Sequence, residues 1–170
     1  MEFHPSSHQY LEGPFVEQTW EFERPEFREL LDYWKDRRQD RAAPRWRDVD
    51  LLAVYRLAPF ITVKDALDGG TDFRNRYWGT QVAEWLRFDG TGRRLSDYFP
   101  KATLPATLAA HRLALHSDMP VRRWGVSAYP KRDHVAFEVI TLALEDDAGN
   151  RAHLLSMSHY QTIEPTDAEI

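Results

Sequence analysis

The chain has 170 residues, with 22 Lys plus Arg against 27 Asp plus Glu, a net charge of −5 and no cysteine. This length predicts one domain, and the lack of cysteine excludes disulfides, thiolate nucleophiles and cysteine-based metal sites. The acidic balance argues against nucleic acid as a partner, because phosphate binding needs a concentrated basic face.

The first part of the chain predicts an arm followed by a helical cap. Residues 1–22 contain Pro and Gly without a clear period and predict an irregular arm. A helix is predicted from Pro25 to Arg41, because Pro suits a first helical turn and apolar residues recur at helical spacing. That apolar stripe consists of Phe27, Leu30, Leu31 and Trp34. A second short helix is expected from an Asp48 or Asp50 cap to Leu57.

The remainder predicts strands with small helices between them. Residues 60–67 and 72–78 predict a hairpin around Asp68-Gly69-Gly70-Thr71. Simple alternation in the second strand places Phe73, Asn75 and Tyr77 on one face and Arg74, Arg76 and Trp78 on the other. Thr80 and Ser96 are expected to cap two short helices, and a longer helix is expected over 104–117. Three final strands are predicted at 121–129, 134–145 and 152–163.

This order of elements predicts an α+β fold. The close connections between strands are hairpins, so we expect a five-stranded antiparallel sheet with short helices on one face. Aromatic residues make up 13 % of the chain, with six Trp. Rings bury much area each, so we expect either a dense core or a cavity lined by them.

Five local sequences stand out together: Pro44-x-x-x-Asp48-x-Asp50, Gly70 to Arg76, Gly79-Thr80, Thr91 to Ser96 and Phe137 to Leu144. With the order of elements, they resemble the stand-alone PAS-like family common in alphaproteobacteria. The chain departs from the family pattern at Arg87-Phe88 and at Leu142-Ala143-Leu144. The resemblance implies an arm at 1–22, a helical cap at 23–58, a PAS-like core at 59–164 and a tail at 165–170.

The resemblance also implies a non-enzymatic sensory or protein-interaction domain, with no catalytic residue. A small ligand would bind between sheet and helices and signal through a partner protein. The candidate pocket residues are Tyr77, Trp85, His111, Trp124, Phe137 and Tyr160. No cofactor is expected; haem held by His111 is the alternative, because haem-binding PAS proteins use a His on the long helix. The simpler interpretation of His111 is a buried core histidine.

The histidine spacings do not predict a metal site. His153 and His159 share a strand face but lie roughly 20 Å apart at 3.3 Å per residue. His111 and His116 point in different directions on their helix, about 140° apart. His4 and His8 flank Pro5 in the predicted arm.

Two other functions are compatible with the sequence. A small cone-fold α+β enzyme of the cyclase or isomerase type would use a ring-lined cavity, with Glu138, His111 or Tyr160 as acid or base. Such an enzyme needs an ionisable group with a shifted pKa inside a cavity that solvent reaches. A scaffold with a solid core is the third interpretation. Glu138 is unusual because it lies within an apolar strand; either it pairs with an arginine such as Arg123 or Arg151, or that part of the strand face meets solvent.

Partners and location follow from the same features. No apolar run reaches the ~20 residues of a membrane span, and no secretory signal is visible, so we expect a cytoplasmic bacterial protein without a membrane partner. The apolar stripe of the first helix must cover something. We expect it to cover the sheet of its own chain or to form a homodimer through the N-terminal helix.

Overall fold

Six antiparallel strands form one sheet in the computed structural model, which describes residues 14–163. The strands are β1 (Phe15–Gln18), β2 (Ile61–Leu67), β3 (Asp72–Trp78), β4 (Val121–Val126), β5 (Val135–Glu145) and β6 (Arg151–Thr162). Their order across the sheet is β1-β4-β5-β6-β2-β3. The helices are α1 (Pro25–Arg38), α2 (Thr80–Leu86), α3 (Leu95–Tyr98) and α4 (Leu104–His116). The predicted α+β class and antiparallel sheet are confirmed.

The additional strand is β1, which lies in the segment predicted to be irregular. It pairs with β4, with Phe15 opposite Trp124 and Gln18 opposite Val121. The two rings stack with centroids 5.3 Å apart. All four residues of β1 are exposed, so this edge strand has no alternation of buried and exposed positions that would reveal it in the sequence. Residues 1–13 and 164–170, including the predicted tail at 165–170, lie outside the described part of the chain.

The cap is one helix followed by short turns. Helix α1 begins at Pro25 as predicted and ends at Arg38, three residues early, because Gln39 takes a positive φ of 54°. The second predicted helix is replaced by three 3-10 turns at 46–48, 51–54 and 58–60. Asp50 caps the middle turn, accepting a hydrogen bond from the Leu52 N–H at 2.9 Å.

The sheet has a core on each face. On the outer face, the apolar stripe of α1 packs against alternate residues of β2, β5 and β6, among them Val63, Leu142 and Leu155. The Trp34 indole N–H donates to the Ala143 carbonyl at 2.9 Å. On the inner face, α3 and α4 pack against Phe73 and Leu154. Strands β5 and β6 are therefore covered on both sides, which explains the nearly continuous apolar run of β5.

A bulge in the β2–β3 hairpin changes which residues of β3 face inward. Val63 pairs with Tyr77 but Lys64 pairs with Asn75, so Arg76 is the extra residue. Side chains in a strand point alternately to the two faces of the sheet, and an extra residue reverses this order for the residues that follow it. Tyr77 therefore joins the outer core and Trp78 the inner face, opposite Thr62. The prediction that Tyr77 shares a face with Phe73 and Asn75 is wrong.

The turn from β3 into α2 depends on a close backbone approach at Gly79. A Cβ on Gly79 would lie 2.2 Å from the Pro59 carbonyl oxygen, and the Gly79 N–H donates to the Ile61 carbonyl at 2.9 Å. Helix α2 begins at Thr80 with Gly79 as its cap residue, and no side chain caps it. The predicted capping role of Thr80 is therefore wrong. None of the helices described within residues 14–163 is long and apolar enough to cross a bilayer.

The close contact between Gly79 and the Pro59 backbone provides a test of the fold. Gly79→Ala is expected to lower the free energy of unfolding by about 1–3 kcal/mol, because backbone must move to admit the methyl group. The exposed neighbour Thr80 is the control, and Thr80→Ala is expected to change the free energy of unfolding by under about 0.5 kcal/mol. Urea denaturation of both variants measures the difference. Equal stability of the two variants would contradict the close approach.

Candidate functional site

A cavity of about 100 Å³ lies between the inner face of the sheet and helices α2 to α4. Its helical walls carry Val82 and Leu86 of α2 and Thr107 and His111 of α4. The sheet supplies the opposite wall through residues of β2, β4, β5 and β6. The space is partly open rather than sealed, so a small molecule in it would meet both protein and solvent.

Hydroxyl groups line the sheet side of this cavity. Thr62, Ser156 and Thr141 lie in register across β2, β6 and β5. The Thr141 and Ser156 hydroxyl oxygens are hydrogen-bonded at 3.0 Å, and Ser158 faces the same space two residues further along β6. Hydroxyls can donate or accept, so this wall adapts to either kind of ligand atom.

Lys64 brings a cationic group into the cavity. Its side chain reaches the cavity from β2 with only 7 % of the residue exposed. Its ammonium donates to the Thr62 hydroxyl at 3.1 Å and lies 5.8 Å from the centroid of the Trp78 ring. Burial, followed by repulsion from Arg123, lowers the Lys64 pKa to about 7. Charge is costly here because water is largely excluded.

Arg123 is the second cation on the cavity wall. It lies on β4 opposite Val139, and its guanidinium is 5.5 Å from the centroid of the Phe137 ring. Burial lowers the pKa of Arg123, although an arginine keeps its charge at neutral pH. Within residues 14–163, no carboxylate forms an ion pair with Lys64 or Arg123. The described residues that line the cavity include no acidic side chain.

His111 contributes a neutral imidazole to the opposite wall. Its Nδ1 lies 2.7 Å from the Thr107 carbonyl, to which it must donate. Burial, followed by the charges of Arg123 and Lys64, holds the His111 pKa well below its ordinary value. The proton therefore stays on Nδ1 and Nε2 keeps its lone pair.

The residues around His111 do not fit a haem. The cavity of about 100 Å³ is smaller than the roughly 300–1,000 Å³ typical of pockets for drug-sized ligands, and haem is larger still. Two cations and a row of hydroxyls also interrupt the apolar wall, where a macrocycle would need continuous apolar contact. Across the described part of the chain, no three His, Asp or Glu side chains are grouped to hold a metal ion.

The six predicted pocket residues are divided between the two faces of the sheet. His111, Phe137 and Tyr160 line the cavity, and burial raises the pKa of Tyr160 to about 12. Trp85 lies behind the wall, stacked on Tyr160 with centroids 5.8 Å apart. Tyr77 lies on the outer face, where its hydroxyl donates to the Ala58 carbonyl at 3.0 Å. Trp124 stacks on Phe15 at the β1 edge.

Lys64 and Arg123 are the two cations on the described cavity wall, and neither is among the six predicted pocket residues. The signal for Lys64 is its place within the first predicted strand, where alternation puts it with Thr62 and Ala66. The sequence suggests Arg123 or Arg151 as an arginine partner for Glu138, and Glu138 does pair with arginines, but with neither of these two. Glu138 instead contacts Arg122 at 3.2 Å and Arg24 at 3.3 Å on the outer face.

Comparison with known proteins identifies the family. A family model described as PAS domain matches residues 22–158, which is most of the chain. The chain belongs to the PAS domain family, and the resemblance found in the sequence is confirmed. It is thus a sensory or interaction domain. No curated protein matches the chain significantly.

One solved structure of low identity shows the same fold, and two others match with lower TM-scores. An RNA-binding light-oxygen-voltage receptor matches over 88 % of this chain and 39 % of its own, at 11 % identity and a TM-score of 0.54. Drosophila melanogaster Cycle PAS-B with bound ethylene glycol matches over 59 % and 99 %, at 8 % identity and a TM-score of 0.43. A sensory box histidine kinase/response regulator from Burkholderia thailandensis matches over 66 % and 83 %, at 12 % identity and a TM-score of 0.41.

Proposed function

We propose that this PAS domain is a non-enzymatic sensor that binds a small molecule in the inner cavity and signals through a partner protein. The observation that carries the proposal is the pair of cations on the cavity wall. Lys64 is buried with a single hydroxyl as its hydrogen-bond acceptor among the described residues. A solid core would not place an ammonium there, because an unpaired buried charge lowers stability.

Strand β4 offers a physical route from the cavity to the cap. Arg123 faces the cavity, while its neighbour Arg122 faces outward and contacts both Glu17 of β1 at 3.1 Å and Glu138 of β5 at 3.2 Å. Glu138 also contacts Arg24, the residue that precedes α1. A ligand that shifts Arg123 would therefore change the ion pairs that hold the start of α1. Population shift between two arrangements of the cap is the mechanism we propose.

The ion pairs of Glu138 provide a test of this route. Glu138→Gln is expected to lower the free energy of unfolding by about 1–3 kcal/mol, because the partly buried Arg24 loses its counter-charge and Arg122 keeps only the more exposed Glu17. Hydrogen exchange in the first turn of α1 should accelerate. Glu29→Gln is the control, because its pair with Arg56 is exposed and is expected to contribute under about 0.5 kcal/mol. Unchanged exchange at the start of α1 in Glu138→Gln would argue against this route.

The predicted homodimer through α1 stays a proposal and needs a different face of the helix. The apolar stripe is buried on the sheet of its own chain. A dimer would therefore use the exposed polar side of α1 or follow release of the cap. A partner protein could use the same surface.

An enzyme is the second candidate function, favoured by one observation, although the PAS fold replaces the predicted cone fold. The Lys64 amine lies in the cavity with a pKa of about 7, where a neutral amine can act as a base or a nucleophile. Of the three predicted acid or base residues, His111 and Tyr160 line the cavity, whereas Glu138 lies on the outer face. Borohydride trapping of a carbonyl compound on Lys64 would favour this candidate.

Native mass spectrometry of protein purified without denaturation tests the proposed function. The expected result is a retained small molecule, and the same spectrum reports the subunit count. Lys64→Met is expected to abolish retention, whereas Lys35→Met on the exposed side of α1 should preserve it. A ligand-free spectrum, combined with unchanged thermal stability across a metabolite library, would contradict the proposal.

A further inference from the structure

The charges around the cavity indicate the chemical class of its ligand. Among residues 14–163, the titratable and charged groups that line it are Lys64 from β2, Arg123 from β4, His111 from α4, Tyr160 from β6 and Tyr129 from the β4–β5 connection. At neutral pH the tyrosines and the histidine are uncharged, so the formal charge of this described lining is positive.

The two cations approach from different sides. Lys64 and Arg123 lie on strands separated by β5 and β6, which corresponds to about 14 Å between strand axes at 4.8 Å per step. Both side chains are long and turn toward the same space. They repel one another strongly enough for Arg123 to lower the Lys64 pKa. A negative group between them would replace this repulsion with two attractions.

The donors also suit oxygen atoms of an anion. A guanidinium presents paired N–H groups that match carboxylate and phosphate oxygens. The Lys64 ammonium has three donors, and Thr62 is its acceptor among the described residues. Ser158 and the Thr141–Ser156 pair add hydroxyl donors on the sheet wall.

We propose that the cavity binds a small oxyanion, a carboxylate or phosphate, between Lys64 and Arg123. This inference rests on the proposed ligand-binding function and specifies its ligand class. The volume of about 100 Å³ suits a compact ligand group, since a larger cavity of about 150 Å³ accommodates benzene. Hydrogen bonds from the sheet hydroxyls orient the anion, and the two cations supply its affinity.

Binding should be coupled to proton uptake. An anion beside Lys64 favours the charged ammonium, so the bound protein holds more protons than the unbound protein at a pH above the Lys64 pKa of about 7. The affinity for the anion should consequently fall as the pH rises from about 7 to about 9. Calorimetry in two buffers that differ in ionisation enthalpy measures the protons taken up.

The decisive experiment compares anions with their neutral amides on the full chain. The probes are acetate with acetamide, succinate with succinamide, and inorganic phosphate with sodium chloride at equal ionic strength. We expect at least one oxyanion to raise the melting temperature of the wild type when its neutral or chloride control does not. Lys64→Met and Arg123→Met should each weaken binding at least about 10-fold, and Lys35→Met should not.

The outcomes separate this inference from the proposed function. If no oxyanion exceeds its control, the anion site is overturned. The sensor function still stands if native mass spectrometry shows a neutral ligand bound. If oxyanions bind equally well to wild type and Lys64→Met, an adventitious surface site is indicated and the inference also fails. Failure of Arg123→Met to fold leaves Lys64→Met as the deciding variant, because Met keeps most of the length of the Lys side chain and removes its charge.

Discussion

Trp34→Ala is expected to lower the free energy of unfolding by about 3–5 kcal/mol, because it removes the largest buried side chain of the outer core. Trp34 is 2 % exposed at the centre of that core. Its removal leaves a cavity between α1 and the sheet and an unsatisfied Ala143 carbonyl. Urea denaturation monitored by circular dichroism measures the change.

Two further variants make that result specific. Trp34→Phe keeps an aromatic ring and loses the indole N–H, so we expect it to lower the free energy of unfolding by about 1–3 kcal/mol. Tyr55→Ala removes another large ring, but Tyr55 is 68 % exposed, and the expected change is under about 0.5 kcal/mol. If Trp34→Ala costs no more than Tyr55→Ala, the cap is not docked on the sheet in solution.

Lys64→Met is expected to stabilise the protein without ligand, and the gain should depend on pH. The Lys64 pKa is about 7 when folded, against an ordinary value of 10.5. Because the folded pKa is depressed, burying Lys64 lowers the free energy of unfolding of the wild type. This loss is fully present below about pH 7 and disappears as the pH rises toward 10.5. A difference of this size corresponds to a penalty of up to roughly 5 kcal/mol.

Denaturation of wild type and Lys64→Met at about pH 6 and about pH 9 tests this sign. At the lower pH, Lys64→Met should have a larger free energy of unfolding than wild type. At the higher pH, this difference between the two proteins should be smaller. The other titrating groups are common to both proteins and largely cancel in the comparison. Lys35→Met should show no such pH dependence because Lys35 is exposed. A Lys64→Met variant that is less stable than wild type at about pH 6 would show that Lys64 has a structural role.

The elements with long, repeated patterns were predictable from the sequence. Helix α1 and its burial are predicted by one apolar stripe, which consists of Phe27, Leu30, Leu31 and Trp34. An apolar helix face of this kind packs against another surface. The last three strands were equally clear, because β5 and β6 carry long apolar runs. Strand β1 was not predictable, since its four exposed residues owe their conformation to pairing with β4.

The cavity was only partly predictable, for two physical reasons. The bulge at Arg76 reverses the alternation before Tyr77 and Trp78, and no local pattern marks it. The second reason is chemical. A sequence rich in aromatic residues predicts a cavity lined by rings and gives no indication of cations. His111, Phe137 and Tyr160 do line the cavity, but its charge comes from Lys64 and Arg123. A cation within a strand is ordinarily expected at the surface, and only the covering helices show that this face is buried.

Because the sheet separates two cores, adjacent residues of one strand belong to different compartments. In β5, Ile140 and Leu142 pack beneath the cap, whereas Val139 and Thr141 border the cavity. Under the proposed function, substitutions at the second pair would alter ligand preference while the first pair preserves the docked cap. Evolution would in this way change the ligand that the cavity accepts without rebuilding the core beneath the cap.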